Sequence, residues 1–272
     1  MEYNPERRRG MEPALIFFDV DGTILDGAYR VPASAAAAIR TARSRGHLCV
    51  VNTGRPLSHV EPAVRDIGFD GYICSCGQHV ILAGQTVFRR QLPGEVCRRV
   101  LALVRAGNLD VVFEAEEGIW FDRTRPLRRE VRETFDHFAA RGFDVSRPVD
   151  REDLQFDKFC VWTGPGADPE ALLRYIRDYC TVIHREGDLL EFVVKGCSKE
   201  AGIRMVMDRT GIPLERCYAI GDSANDLGML RMVPHSVAMG HAPEEVREAV
   251  EYVTDTLPRD GLQKALRHYG LI

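Results

Sequence analysis

Residues 14–20, Ala-Leu-Ile-Phe-Phe-Asp-Val, form a short, nearly unbroken apolar run with an acid at its end. Such a run suits a strand buried on both faces of a parallel sheet, with polar chemistry at its C-terminal end. The pattern recurs at residues 47–52 and 72–75. Between these runs, Ser34 as N-cap, the alanine-rich residues 35–45 and a Gly46 stop predict one helix. Thr53-Gly54-Arg55-Pro56 opens a second helix, expected to run to about Asp66. This βαβαβ alternation predicts an α/β fold with a doubly wound, Rossmann-like parallel sheet.

The rhythm then changes. Residues 80–82 and 86–88 flank Ala83-Gly84-Gln85 and read as a hairpin. Helices are expected over residues 93–106, 127–140 and 168–180, with strands over 110–115, 118–121 and 156–163. Residues 181–184 and 189–194 make a closing hairpin around Glu186-Gly187-Asp188. Antiparallel strands with helices between them describe an α+β module, so residues 82–194 are expected to be a second domain inserted into a core made of residues 1–81 and 195–272. The parallel rhythm resumes with a helix over 199–210, a strand over 217–220 and a helix after Asp222. A strand over 236–239, a helix over 243–250 and a strand over 252–253 complete the expected core.

Length and composition agree with two globular domains: 272 residues, 45% hydrophobic and 28% charged. The net charge of −4 leaves no excess of cations for a phosphate polyanion, so nucleic acid is not an expected partner. No apolar run approaches the roughly 20 residues of a membrane span. Residues 1–10 carry Arg7, Arg8 and Arg9 but no apolar stretch of a signal peptide follows; residues 1–12 are expected to be flexible, with Met11 an alternative start. The eight cysteines are scattered without a CxxC pair, which speaks for reduced thiols and a cytoplasmic location rather than a zinc site.

Three polar clusters follow expected parallel strands, where open α/β sheets place their sites. In Asp19-Val20-Asp21-Gly22-Thr23, two carboxylates close together are costly unless a cation or proton offsets their repulsion. Gly22 permits the tight turn that directs both toward one point. In Thr53-Gly54-Arg55, a hydroxyl and backbone N–H groups before a helix can hold an anion, although Thr53 alone is an ordinary N-cap residue. Gly221-Asp222-Ser223-Ala224-Asn225-Asp226 supplies two carboxylates and an amide, suited to the oxygen ligands of magnesium. Lys199, taken alone, is solvated surface.

The conjunction of Asp19, Asp21, Thr53, Lys199 and Asp222, in this order and each at the edge of a core element, is far more specific. Here the chain resembles the haloacid dehalogenase-like hydrolase superfamily. Its four motifs are matched by DVDGT (19–23), the Thr of VNTGR (51–55), the Lys of KGCSK (195–199) and GDSAND (221–226). The α+β insert resembles the class IIB cap of the Cof-type subfamily, as do AMGHAPEEV (238–246) and Asp260-Gly261 its C-terminal signature. Cys76-Gly77 stands where many Cof-like proteins have Asn-Gly, and His241 where Asn is usual; both departures are expected to bear on substrate preference.

The resemblance implies a Mg²⁺-dependent phosphatase acting on a small phosphorylated metabolite, a sugar phosphate foremost, as a monomer or weak homodimer. It implies Asp19 as nucleophile, Asp21 as general acid and base, and Lys199 and Thr53 as partners of the phosphate oxygens, joined by Gly22, Gly54, Arg55 and Asn225. Magnesium would be held by Asp19, Asp222 and the Asp21 backbone carbonyl, with Asp226 orienting its shell. The cap would close on hinges near residues 80–84 and 194–198; Arg55, Lys158, Glu191 and Lys195 are candidates for reading the leaving group, while Trp120 and Trp162 are expected in the cap core. A phosphomannomutase-like phosphotransferase and a non-catalytic phosphometabolite sensor are the competing readings.

Overall fold

A computed structural model describes residues 12–185 and 187–272. The expectations for the N-terminal extension and for Glu186 lie outside the described residues. In chain order the elements are β1 (Leu15–Phe18), α1 (Ala33–Ser44), β2 (Leu48–Asn52), α2 (Pro62–Arg65), β3 (Gly71–Cys74), β4 (His79–Leu82) and β5 (Gln85–Arg89). There follow α3 (Gly94–Ala106), β6 (Asp110–Ala115), β7 (Gly118–Phe121), α4 (Arg129–Ala140), β8 (Lys158–Trp162), α5 (Glu170–Ile176), β9 (Cys180–His184) and β10 (Leu189–Val194). The chain continues through α6 (Lys199–Thr210), β11 (Cys217–Gly221), α7 (Leu227–Met232), β12 (His235–Ala238), α8 (Glu244–Arg247), β13 (Tyr252–Val253) and α9 (Gly261–His268).

The chain divides into one unit made of Met1–Arg89 and Ser198–Ile272 and another made of Arg90–Cys197. The first carries an eight-stranded sheet in the order β13-β12-β11-β1-β2-β3-β4-β5. Strands β13 through β3 in that order pair in parallel, and β4 and β5 add antiparallel at the edge. Strand order reverses between β1 and β11: the chain moves one way through β2 and β3, and the other way through β12 and β13. This is the switch point at which doubly wound sheets leave a crevice outside the carboxyl ends of their strands.

Burial explains the sheet. All four residues of β1 are fully buried. Ile16 and Phe18 join Ala35, Ala38 and Ile39 of α1 and Leu262 and Leu266 of α9 on one face. Leu15 and Phe17 join Ile203 and Val206 of α6 and Met229 and Leu230 of α7 on the other. Each such side chain contributes about 1.5–3 kcal/mol of burial, which is why the run shows no polar alternation.

Several local expectations differ from the structure. Residues 53–66 do not form one helix: Pro56 and Pro62 divide the segment into a 3₁₀ turn at Leu57–His59 and the short α2, because proline lacks the N–H a continuing helix needs. Ser34 is inside α1 and Pro32 holds the N-cap position, without a side-chain cap. The strand following Ala83-Gly84 belongs to the sheet of the first unit and not to the insert. Helix α9, absent from the sequence reading, packs against α1 through Leu262, Ala265 and Leu266.

The second unit is a five-stranded antiparallel sheet in the order β7-β6-β8-β10-β9. Its core is aromatic: Phe113 stacks on Phe156 with centroids 4.4 Å apart, and Phe159 on Phe192 at 4.4 Å. Trp120 is buried, and Trp162 is half-buried in a cluster with Val112, Phe121 and Val131. None of the helices in the described residues is long and apolar enough to cross a membrane. None of the eight cysteines, all of them among the described residues, is in a disulfide.

Candidate active site

The site is built at the carboxyl ends of β1, β2 and β11 and at the start of α6. Asp19 follows β1 and is held in place by its N–H, which donates to the Ile220 carbonyl of β11 (3.0 Å). Lys199 opens α6, a helix capped by the Ser198 hydroxyl, which accepts from the Ala201 N–H at 3.1 Å. Asn52, the last residue of β2, donates from Nδ2 to the Lys199 carbonyl at 3.2 Å. Far from being solvated, Lys199 is 3% exposed. Its Nζ donates to Asp19 Oδ1 at 2.5 Å and to Asp226 Oδ1 at 2.6 Å.

Asp226 is fully buried and committed on both oxygens. While Oδ1 accepts from Lys199, Oδ2 accepts from the backbone N–H groups of Asp222 (3.0 Å) and Ser223 (3.1 Å). It thus locks the turn after β11, which sets the position of Asp222. Gly221 is required at that turn, since a Cβ there would stand 2.6 Å from Asp226 Cγ.

Asp222 is poised differently. Its Oδ2 lies 3.3 Å from His241 Nε2, whereas its Oδ1 is buried with no hydrogen-bond partner. An orphaned carboxylate oxygen in such a place is costly unless something positive meets it. Oxygens of Asp19, Asp222 and Asp226 lie within 4.8 Å of one another. One lysine among these carboxylates leaves an excess of negative charge, and a hard, oxygen-seeking divalent cation fits that donor set.

The electrostatics agree. Burial pushes the Asp19 carboxyl well above the ordinary range, and Asp226 adds to the rise against the pull of Lys199. Burial and the Asp226 charge raise Asp222 to about 6, despite opposing help from His241 and Lys199. Burial alone would lower Lys199, but Asp19 and Asp226 overcome it and raise its pKa, so it stays charged.

Asp21 is not part of this cluster. Its side chain is 56% exposed and is gripped by Arg55, from Nε to Oδ2 at 2.8 Å and from the terminal nitrogen to Oδ1 at 2.5 Å. Arg55 is itself anchored through its other terminal nitrogen to the His59 carbonyl (2.8 Å) and to Glu61 (2.6 Å). Only through its backbone carbonyl does Asp21 enter the ligand set inferred from the sequence. Gly22, at φ +79°, brings the backbone against Asp222: a Cβ there would stand 2.2 Å from Oδ2. No other residue accommodates both that approach and that φ.

Thr53 is buried, and its Oγ1 accepts from the Arg55 N–H at 3.2 Å, which leaves the hydroxyl proton for another acceptor. The anion-binding helix N-terminus expected behind Thr53 and Gly54 is absent, since the prolines leave only the 3₁₀ turn; the hydroxyl and the turn's own N–H groups remain. Asn225 is exposed and accepts from the Ser223 hydroxyl at 2.7 Å. Gly77, which follows the unusual Cys76, touches the site from behind: at φ +83° its missing Cβ would be 2.2 Å from the Ser198 carbonyl, next to Lys199.

His241 meets a residue that the sequence reading did not pair with it. Expected to bear on substrate preference, it stands against Asp222. The signal was present, because His241 follows β12 at the same edge of the sheet that carries the other clusters. In the second unit, Lys158 and Glu191 are partners of each other at 2.6 Å and both are buried, so neither is solvated surface. Lys195 is exposed.

The chain is similar to known proteins along nearly its whole length. The sequence profile of the family described as haloacid dehalogenase-like hydrolase matches residues 16–266. YkrA of Bacillus subtilis, named as a candidate phosphatase, is 29% identical over 271 residues, covering 96% of this chain and 100% of its own. The 5-amino-6-(5-phospho-D-ribitylamino)uracil phosphatase YcsE of the same organism is 25% identical over 269 residues, covering 97% of this chain and 99% of its own. Among solved structures, the subclass IIB sugar phosphatase BT4131 matches with a TM-score of 0.78 and 26% identity, over 95% of this chain and 100% of that one.

Proposed function

The chain belongs to the haloacid dehalogenase-like hydrolases and is a phosphatase, and we propose that it is a magnesium-dependent one that hydrolyses a small phosphorylated metabolite, a sugar phosphate foremost, through an aspartyl-phosphate. The observation that carries the reading is the buried excess of carboxylate around Lys199, with Asp222 Oδ1 unpartnered beside Asp19. Residue roles, the division into a catalytic unit and a leaving-group-reading insert, and a cytoplasmic location are parts of the same proposal.

In this mechanism an Asp19 carboxylate oxygen attacks phosphorus in line as the bond from phosphorus to the leaving oxygen breaks. Asp21 gives its proton to that departing oxygen. Its greater exposure supports the role, since a leaving group and later a water must both reach it. Asp21 then takes a proton from the attacking water, the bond from Asp19 to phosphorus breaks, and phosphate leaves. Lys199 stays charged throughout and, with the Thr53 hydroxyl, neutralises the equatorial phosphate oxygens. Asp19, Asp222 and the Asp21 carbonyl would hold magnesium, which when bound supplies the positive charge that Lys199 alone cannot. Asp226, with both oxygens committed, orients rather than ligates.

The test is phosphate release from a panel of sugar phosphates, nucleotides, phosphorylated cofactors and p-nitrophenyl phosphate, with Mg²⁺, with EDTA and with Asp19→Asn. Metal-dependent release, reduced by about 10⁴-fold or more in the variant, is expected. Substantial turnover by Asp19→Asn would refute the nucleophile; no release from any substrate would favour a mutase or a sensor.

A further inference from the structure

We infer that His241 is a positioning residue that holds Asp222 as a single-oxygen ligand, and that it thereby tilts the site toward a small octahedral cation, Mg²⁺, and away from a larger one, Ca²⁺. The inference rests on the metal-dependent reading above and deepens it.

Three observations meet at the Asp222 carboxylate. His241 Nε2 donates to Oδ2 at 3.3 Å. Gly22 packs against the same oxygen so closely that even a methyl group would not fit. Oδ1, buried, has no hydrogen-bond partner. The two oxygens of one carboxylate are therefore unequal: one is occupied by a donor and walled in by backbone, and the other is left for a cation.

The backbone that presents the imidazole is held by the fold. The Met239 N–H donates to the Gly221 carbonyl at 3.0 Å, tying the turn after β12 to the residue before Asp222. The Gly240 N–H donates to the Asp255 carbonyl at 3.2 Å, and a Cβ on Gly240 would lie 2.8 Å from the Thr254 carbonyl oxygen. The Ala242 N–H closes the turn on Met239 at 2.9 Å. His241 is thus presented from a turn anchored on both sides, although its side chain is 39% exposed.

The consequence for metal choice follows from ligand geometry. Ca²⁺ accepts six to eight oxygens and readily takes both oxygens of one carboxylate, whereas Mg²⁺ demands near-octahedral geometry and single-oxygen ligands. Occupying Oδ2 with a donor removes the two-oxygen mode. Hydrogen-bond partners that orient a ligand are commonly worth about 10–100-fold in metal affinity.

The experiment is calorimetric titration of the full chain, stripped with EDTA, with MgCl₂ alone and CaCl₂ alone, without substrate. Wild type is compared with His241→Leu, which keeps bulk but has no donor, with His241→Gln, whose amide nitrogen sits as many bonds from Cα as His Nε2, and with Asp222→Asn. Expected is a loss of about 10-fold or more in Mg²⁺ affinity relative to Ca²⁺ in His241→Leu, with the ratio restored in His241→Gln. An unchanged Mg²⁺-to-Ca²⁺ ratio in His241→Leu overturns the inference, as does a His241→Gln that behaves like His241→Leu. Mg²⁺ binding that survives Asp222→Asn would sink the metal reading itself and the inference with it; binding that needs Asp222 but ignores His241 sinks the inference alone. Unchanged thermal midpoints in the His241 variants show that folding is not the cause.

Discussion

Each of the two units buries a lysine among carboxylates, and the two clusters are resolved in opposite ways. In the second unit, Lys158 meets Glu191 at 2.6 Å and Glu114 at 3.7 Å, and Arg185 Nε reaches Glu191 at 2.8 Å. Cations and anions are matched there. Burial pushes Glu191 upward, but Lys158 and Arg185 outweigh it and hold the carboxyl at about 2. In the first unit, Lys199 meets Asp19 at 2.5 Å and Asp226 at 2.6 Å with Asp222 beside them, and two of those three carboxyls are raised. A matched cluster is complete as a structural part. An unmatched one of the same chemistry is incomplete without a ligand, and that imbalance, more than burial or the presence of charge, separates site from scaffold.

The largest effect that could break this comparison is on turnover. Asp19→Asn is expected to remove at least about 10⁴-fold of phosphate release, whereas Glu191→Gln should leave the Asp19, Lys199 and Asp222 chemistry intact. In stability the order reverses. Glu191→Gln leaves Lys158 without its closest partner in a buried place, and should cost about 3–5 kcal/mol in denaturant unfolding. A Glu191→Gln protein as stable as wild type would show that the matched cluster contributes nothing structural.

Acid and base sharpen the contrast. The folded-state pKa of Glu191 lies below its ordinary value, so its stabilisation is present above about pH 4.5 and is lost as pH falls toward about 2. The stability gap between wild type and Glu191→Gln should therefore close over that window. Asp222 is shifted the other way: its folded form holds the proton more tightly, so the metal-free protein loses stability through it as pH rises from about 4 to about 6. In EDTA, wild type should fall behind Asp222→Asn over that interval. Thermal midpoints of both pairs against pH read the two slopes, and slopes of equal sign would break the comparison.

A smaller effect is expected at Gly22. Gly22→Ala places a methyl group against Asp222 Oδ2 at a backbone φ of +79°. About 1–2 kcal/mol of stability should be lost through the backbone alone, and Mg²⁺ affinity should drop through displacement of Asp222. Wild-type Mg²⁺ affinity in Gly22→Ala would show that the carboxylate is not pinned there.

Much of this was legible in one dimension. Runs such as residues 15–18 and 48–52 carry the signature of strands buried on both faces, and the polar residues after them fall where a parallel sheet must place its chemistry. Asp19, Asp21, Thr53, Lys199 and Asp222 could be singled out on that ground. The single helix expected over residues 53–66 is divided because Pro56 and Pro62 lack the N–H that a continuing helix needs. Helix α9 was missed although Leu262, Ala265 and Leu266 mark its apolar face, and β5 was placed in the wrong unit because a hairpin does not say which sheet it extends.

By itself, then, the sequence determined which residue types stand at which strand ends, since side-chain periodicity and turn chemistry are local. Only the tertiary structure decided who faces whom. Asp19 and Lys199 are 180 positions apart, and Asp222 and His241 are 19 apart across a strand. Lys199 as the shared cation of two carboxylates, Arg55 as the partner of Asp21, and His241 against Asp222 depend on distances of a few ångströms, which packing sets and periodicity does not carry.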